Sequence, residues 1–311
     1  MFVISTYNNN HFMKYQDKSL KLAYKFARSQ TKHYSKSFFI SASLLPKEKR
    51  WDTFALYNFC RYADNLIDKP RNRSVEELIL EVDHFAEEVT AAYKYGESEH
   101  PVLKSFVEVA LKYQMPMNYP LELLEGVKMD LVHKRYETFD DLYKFCYKVA
   151  GVVGVMMTYI LGYKSNHAFC YAEHLGAAMQ LTNILRDVQE DKDVDRIYLP
   201  LDELTQFNLS YDDIKNELFD ERMSKFMKYQ IDRADRYYRE ANEGIKLLTP
   251  NTQFAISSAS RIYRGILLKI ETKNYNPFDG RVFVNLGEKL RILSGEILRT
   301  RFLNPLLNLF T

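Results

Sequence analysis

The chain has 311 residues, 46% of them hydrophobic and 27% charged, which is enough for one large folded domain or two small ones and is unlike a disordered segment. Its formal net charge of +2, with Lys and Arg spread along the chain, excludes the basic stripe of a nucleic-acid binder. The three cysteines, Cys60, Cys146 and Cys170, are too few and too scattered for a disulfide framework or a zinc spacing, and a reducing cytoplasm is expected.

Residues 1–17 lack a charged start and a sustained apolar run, so they read as a loose N-terminal segment rather than a secretion signal. Residues 18–311 read as a single domain, with no linker, repeat or uninterrupted membrane-length apolar stretch. Only 11 Gly and 9 Pro occur, and the apolar residues recur with helical rather than alternating period, which predicts an all-α protein. Helices are expected near 18–33, 48–67, 74–95, 101–114, 119–135, 139–163, 167–191, 211–247, 251–274 and 286–302.

Between the first two, HYSKSFFIS at 33–41 sets Ser35, Lys36 and Ser37 ahead of an apolar run. It reads either as a phosphate grip or as a helix N-cap. The second helix ends in YADNLID, with Asp64 and Asp68 four residues apart. Chance alone gives about five such acidic pairs in a chain with 41 acidic residues, so the pair says little by itself. VAGVVG at 149–154 reads as a place where helices approach closely.

QLTNILRDVQED then places Asn183, Asp187 and Asp191 at successive intervals of four, beside Gln180. On one helix they share an arc of about 80° at the edge of an apolar face. Carboxylates grouped at an apolar edge repel or take up protons unless a hard cation joins them, and Mg²⁺, which also bridges phosphate oxygens, suits them. Arg61 precedes the first motif, while Arg186, Lys192 and Arg196 accompany the second. Guanidinium groups with Mg²⁺ are what a departing diphosphate requires. The dinucleotide, P-loop, zincin and nucleophile-elbow signatures are missing. The final stretch, ILRTRFLNPLLNLFT, mixes basic and apolar groups and suits either a packed helix or a peripheral membrane contact.

These residues resemble the squalene/phytoene synthases, the head-to-head prenyl diphosphate coupling enzymes. The resemblance runs over roughly 20–295: SKSF at 35–38, YNFCRYADNLID at 57–68, YKFCYKVAGVVG at 143–154, QLTNILRDVQEDKDVDRIYLP at 180–200, ASRIYRGIL at 259–267 and DGRVFV at 279–284. It implies an all-α isoprenoid synthase fold around a deep cavity, with the two aspartate motifs facing each other across two or three Mg²⁺ ions (or Mn²⁺ as substitute) and two substrate diphosphates. On that basis Asp64, Asp68, Asn183, Asp187 and Asp191 are expected metal ligands. Gln180 and Asn183 are expected at the reaction centre, and Tyr147 and Tyr263 near the cation. Ser35, Lys36, Ser37, Tyr57, Arg61, Arg186 and Arg281 are expected diphosphate contacts.

The closest branch implied is phytoene synthase, condensing two geranylgeranyl diphosphates through a cyclopropyl diphosphate without NADPH. A carotenoid desaturase would be its downstream partner. The alternatives are a dehydrosqualene or squalene synthase using two farnesyl diphosphates, and a non-catalytic helical scaffold. Ala42, four residues past Phe38, favours the longer substrate if both share a helix face. Asn65 departs from relatives that carry a third acid there. The implied location is cytoplasmic, with peripheral membrane association as its variant.

Overall fold

The computed structural model describes residues 17–68 and 73–298. The expected N-terminal segment up to residue 16 and the basic, apolar tail beyond 298 lie outside them. All regular structure among the described residues is helical, and only two isolated β-bridges occur, Arg135 with Ile197 and Tyr163 with Leu248. The helices fall into two compact units, Met1–Leu121 and Glu122–Thr311.

The first unit contains α1 (Lys18–Tyr34), α2 (Lys36–Ser43), α3 (Lys47–Asp68), α4 (Val75–Tyr95) and α5 (Leu103–Lys112). Asp17 caps α1 by accepting from the Ser19 amide at 2.8 Å, and Ser74 with Glu77 forms a capping box on α4. Central α3 packs against α1, α5 and α4. Phe59 of α3 stacks on Phe106 of α5 with ring centres 4.0 Å apart, and on Phe85 of α4. Helix α2 was not among the expected helices. Ser35 ends α1 and caps α2, accepting from the Phe38 amide at 3.3 Å, so HYSKSFFIS does supply a helix N-cap.

The next helix, α6 (Asn118–Val132), begins at the boundary between the units. The second unit continues with α7 (Phe139–Cys146), a π-helical turn (Tyr147–Gly151), α8 (Val152–Leu161), α9 (His167–Arg186) and α10 (Val188–Asp193). It is completed by α11 (Leu201–Gln206), α12 (Tyr211–Lys215), α13 (Glu221–Gly244), α14 (Pro250–Thr272) and α15 (Leu286–Leu298). Helix α9 is the hub, packed most extensively on α13 and also on α8, the π turn and α14. The core gathers Leu181 and Leu185 of α9, Phe226, Ile231 and Tyr238 of α13, and Ile266 and Ile270 of α14.

The expected close approach at VAGVVG is present. A Cβ on Gly154 would lie 2.2 Å from the Ala172 carbonyl oxygen, and one on Gly176 would lie 2.2 Å from that of Ala150. Phe139–Leu161 contains an 18-residue window of mean hydropathy 1.3, long and apolar enough to cross a membrane although charged residues interrupt the stretch. Half of that stretch is buried inside the fold, as befits a core helix.

Three expected helices are interrupted. The 139–163 helix contains the π turn. The 211–247 helix breaks where Glu217 adopts φ 55° and the Asp220 carboxylate accepts from the Arg222 and Met223 amides, offering the backbone a fresh start as α13. The 167–191 helix breaks at Asp187, whose φ of −105° and ψ of 16° separate α9 from α10. Helix α11 was also not anticipated; it follows Pro200, a favoured helix-start residue.

Candidate active site

In the first unit, α3 runs unbroken through Tyr57, Arg61, Asp64 and Asp68, so the i, i+4, i+7, i+11 spacing puts all four on one side. Arg61 lies between the acids, 3.3 Å from Asp68 and 3.9 Å from Asp64, which offsets their mutual repulsion. Its guanidinium also rests over the Tyr34 ring, 4.7 Å from the centre. Both carboxylates stay open to solvent, their side chains 47% and 42% exposed. Arg61 Nε and Asn65 Oδ1, both within this motif, are buried with no hydrogen-bond partner among the described residues. Asn65, the departure from the three-acid pattern, thus supplies a lone carbonyl oxygen beside Asp64.

Tyr57 stacks on Phe38 of α2, ring centres 4.7 Å apart, which ties the SKSF segment to the aspartate helix. Ser37 is half-buried and Lys36 exposed. Ala42 shares α2 with Phe38, as the spacing required, and is buried against Ala27 and Phe54.

The second motif is built differently. Backbone bonds from Asp187 N to Asn183 O (2.9 Å) and from Asp191 N to Asp187 O (2.8 Å) preserve the one-turn spacing through the break. Asp187, only 18% exposed, is held by two guanidinium groups. Arg186 donates to its two oxygens at 2.7 and 2.5 Å, and Arg281 approaches the same oxygens at 3.0 and 3.1 Å. Burial works against the charge of Arg186, but Asp187 more than offsets this, and its pKa rises.

Burial is the main cause that pushes the Asp191 carboxyl up to about 7; Asp187 and Asp130 add to it and Arg196 opposes it. Burial likewise raises the Tyr263 phenol, against the pull of Arg186 and Arg281, which places that tyrosine within the field of the same cations. Asn183 donates to Gln180 Oε1 at 3.3 Å, while its own Oδ1 is buried without a partner among the described residues. Tyr147 opens the π turn, a helix defect that recurs at functional sites.

The fit to Mg²⁺ rests on this donor set. A carboxyl pushed toward neutrality by burial and carboxylate neighbours, together with an orphaned carbonyl oxygen one turn before Asp187, is a set that a hard cation would satisfy. Among the described residues no three His, Cys, Asp or Glu side chains converge to hold a metal alone. Water and phosphate oxygens would therefore have to complete the shell, as Mg²⁺ prefers.

Sequence reasoning missed Asp130. It accepts from the Tyr198 hydroxyl at 2.5 Å and pairs with Arg196 at 3.2 Å, which fixes the segment just after the second motif. Backbone bonds join that segment to the loop after α6, among them Ile197 N to Lys134 O and Leu201 N to Tyr136 O, each 3.0 Å. Asp130 carries no spacing signal, since its partners lie more than 60 residues away. Lys192, which follows the second motif, pairs with Glu217 at 2.7 Å and Asp193 at 2.9 Å.

Residues 31–288 match the family model described as squalene/phytoene synthase. The chain is 36% identical to a 15-cis-phytoene synthase of Synechococcus elongatus over 297 residues, 92% of this chain and 96% of that protein. It is 35% identical to the 15-cis-phytoene synthase of Synechocystis sp., over 92% of this chain and 87% of that one. Among solved structures it resembles a dehydrosqualene synthase in complex with ligand, with TM-score 0.82 and 30% identity, covering 91% of this chain and 98% of the other. The squalene synthase HpnC from Alicyclobacillus acidocaldarius, at TM-score 0.77 and 24% identity over 83% of this chain and 97% of that one, shares the fold.

Proposed function

Because the chain belongs to the squalene/phytoene synthase family and has its all-α isoprenoid synthase fold, we propose that it is a prenyltransferase of the phytoene synthase type. It joins two geranylgeranyl diphosphates head to head, through a cyclopropyl (prephytoene) diphosphate, to give phytoene for carotenoid biosynthesis. The observation that carries this reading is the 35–36% identity to phytoene synthases along 92% of the chain.

Mg²⁺, held by Asp64, Asp68, Asn183, Asp187 and Asp191, would neutralise diphosphate charge as it grows on departure. The chain's own cations do related work. Arg61, Arg186 and Arg281 are each paired with a motif aspartate, and an incoming diphosphate offers them a second anion of matching geometry. Ser35, Lys36, Ser37 and Tyr57 are assigned to the diphosphates as well. The Lys36 ammonium stays exposed and Tyr57 is positioned by its stack on Phe38.

The first ionisation breaks an allylic C–O bond. The second substrate's double bond attacks the cation, and loss of a proton closes the cyclopropane. The second ionisation is followed by rearrangement to the 1-1′ link and loss of another proton. Tyr147 and Tyr263 present aromatic faces to the cations, and Gln180 with Asn183 orients the polar side of the reaction centre. The small Ala42 suits a C20 tail.

The likeness to a dehydrosqualene synthase favours one second reading, the same chemistry on two farnesyl diphosphates. Incubation with Mg²⁺ and either substrate, with and without NADPH, followed by mass spectrometry of the hydrocarbon, separates the two. A C40 product without reductant supports the proposal. A C30 product replaces it with the second reading, and no coupling from either substrate overturns both.

A further inference from the structure

The thirty residues from Lys18 to Lys47 contain seven Lys or Arg and no Asp or Glu, although the whole chain is nearly neutral. Within them, α1 leaves Leu22 56% and Phe26 42% exposed, one turn apart and alternating with the exposed Lys21 and Lys25. A cationic helix that shows large apolar side chains to solvent has the composition of an interfacial helix. Beside it a cavity of about 380 Å³, mostly apolar, is lined by Leu20, Tyr24 and Trp51 among others, within the size range of small-molecule sites.

The charges of the cavity are partly closed on themselves. At its inner side Asp52, 3% exposed, accepts from Lys112 at 2.8 Å, Tyr113 OH at 2.8 Å and Tyr24 OH at 3.2 Å. The remaining lining charges are Lys21, Lys25 and Lys47 against Glu48 and Glu108, one positive charge in excess. Asp52 precedes Asp64 by twelve residues on α3, about 18 Å of helix, so this cavity is separate from the first aspartate motif.

We propose that this cavity binds an anionic phospholipid at a bilayer surface. Lys21, Lys25 and Lys47 take the phosphodiester, one acyl chain lies over Trp51, and Leu22 and Phe26 enter the interface. The apolar lining matches the chain and the single excess positive charge matches a monoanionic headgroup. The inference stands independently of the substrate assigned above.

Trp51 is the only tryptophan in the chain and therefore reports on the cavity alone. Vesicles of phosphatidylcholine with about 30% phosphatidylglycerol should shift its emission to the blue, and brominated acyl chains should quench it; pure phosphatidylcholine should do neither. The double variant Lys21→Glu, Lys25→Glu should bind the anionic vesicles at least about tenfold more weakly. It should keep its turnover on detergent-dispersed substrate. Equal quenching by neutral vesicles, vesicle binding without quenching, or unaltered binding by the double variant would each overturn the proposal.

Discussion

The two aspartate motifs share one spacing and little else. On α3 the carboxylates sit on an unbroken helix, nearly half exposed, with one arginine between them. At the end of α9 the helix breaks on the first acid, which is largely buried and gripped by two guanidinium groups, and the next acid is pushed toward neutrality. The same four-residue interval therefore produces a solvated, adaptable pair in one place and a preorganised, electrostatically loaded one in the other. Spacing sets which side chains share a face; burial and neighbours set what those side chains do.

The largest effect should come from removing the divalent cation proposed for both motifs. Excess EDTA is expected to stop hydrocarbon formation and added Mg²⁺ to restore it; undiminished turnover under chelation would refute a metal role for either motif. Next, Asp64→Asn and Asp187→Asn should each reduce kcat by at least about 100-fold, and a variant of either that kept wild-type rates would remove its motif from the site.

Stability should then separate what activity does not. Without metal, Asp64→Asn should change unfolding free energy by less than about 0.5 kcal/mol. Asp187→Asn, which takes a charged partner from Arg186 and Arg281, should cost about 1–3 kcal/mol. Equal losses in urea unfolding would erase the contrast between the motifs.

The last prediction is a pH slope. The folded-state pKa of Asp191 is raised from 3.8 to about 7, so between those values the native state holds a proton that the unfolded state has released. The metal-free protein should accordingly lose stability as pH rises across that window, and Asp191→Asn should flatten the slope. A slope unchanged in that variant would assign the effect elsewhere.

Much of this was readable from the chain. Helix after helix followed from period and from the scarcity of Gly and Pro, and the two motifs with Arg61 and Arg186 stood out because local spacing and charge expose them, whereas Arg281, far along the chain from its partner Asp187, came only from the family resemblance. The breaks at Asp187 and Asp220 were hidden: the Asp220 carboxylate competes with the helix for the Arg222 and Met223 amides, while Asp187 makes no such cap and turns where Arg186 and Arg281 hold its carboxylate, and neither feature alters apolar periodicity. Asp130 was hidden for a different reason. Its charge acts on Asp191 through space, in a region where residues 134–137 pair with 197–202, and a window sliding along the sequence never holds both.

The π turn at Tyr147–Gly151 amounts to one residue more than an α-helix can accommodate. Deleting a single residue there would leave a continuous α-helix with everything after it still in register, since five residues of π turn cover about the same arc as four of α-helix. Gly154 would still meet the Ala172 carbonyl. The surplus residue is thus absorbed where it stands: a one-residue deletion inside the turn should be tolerated far better than one within α8, where no bulge exists to take up the rotation of about 100°.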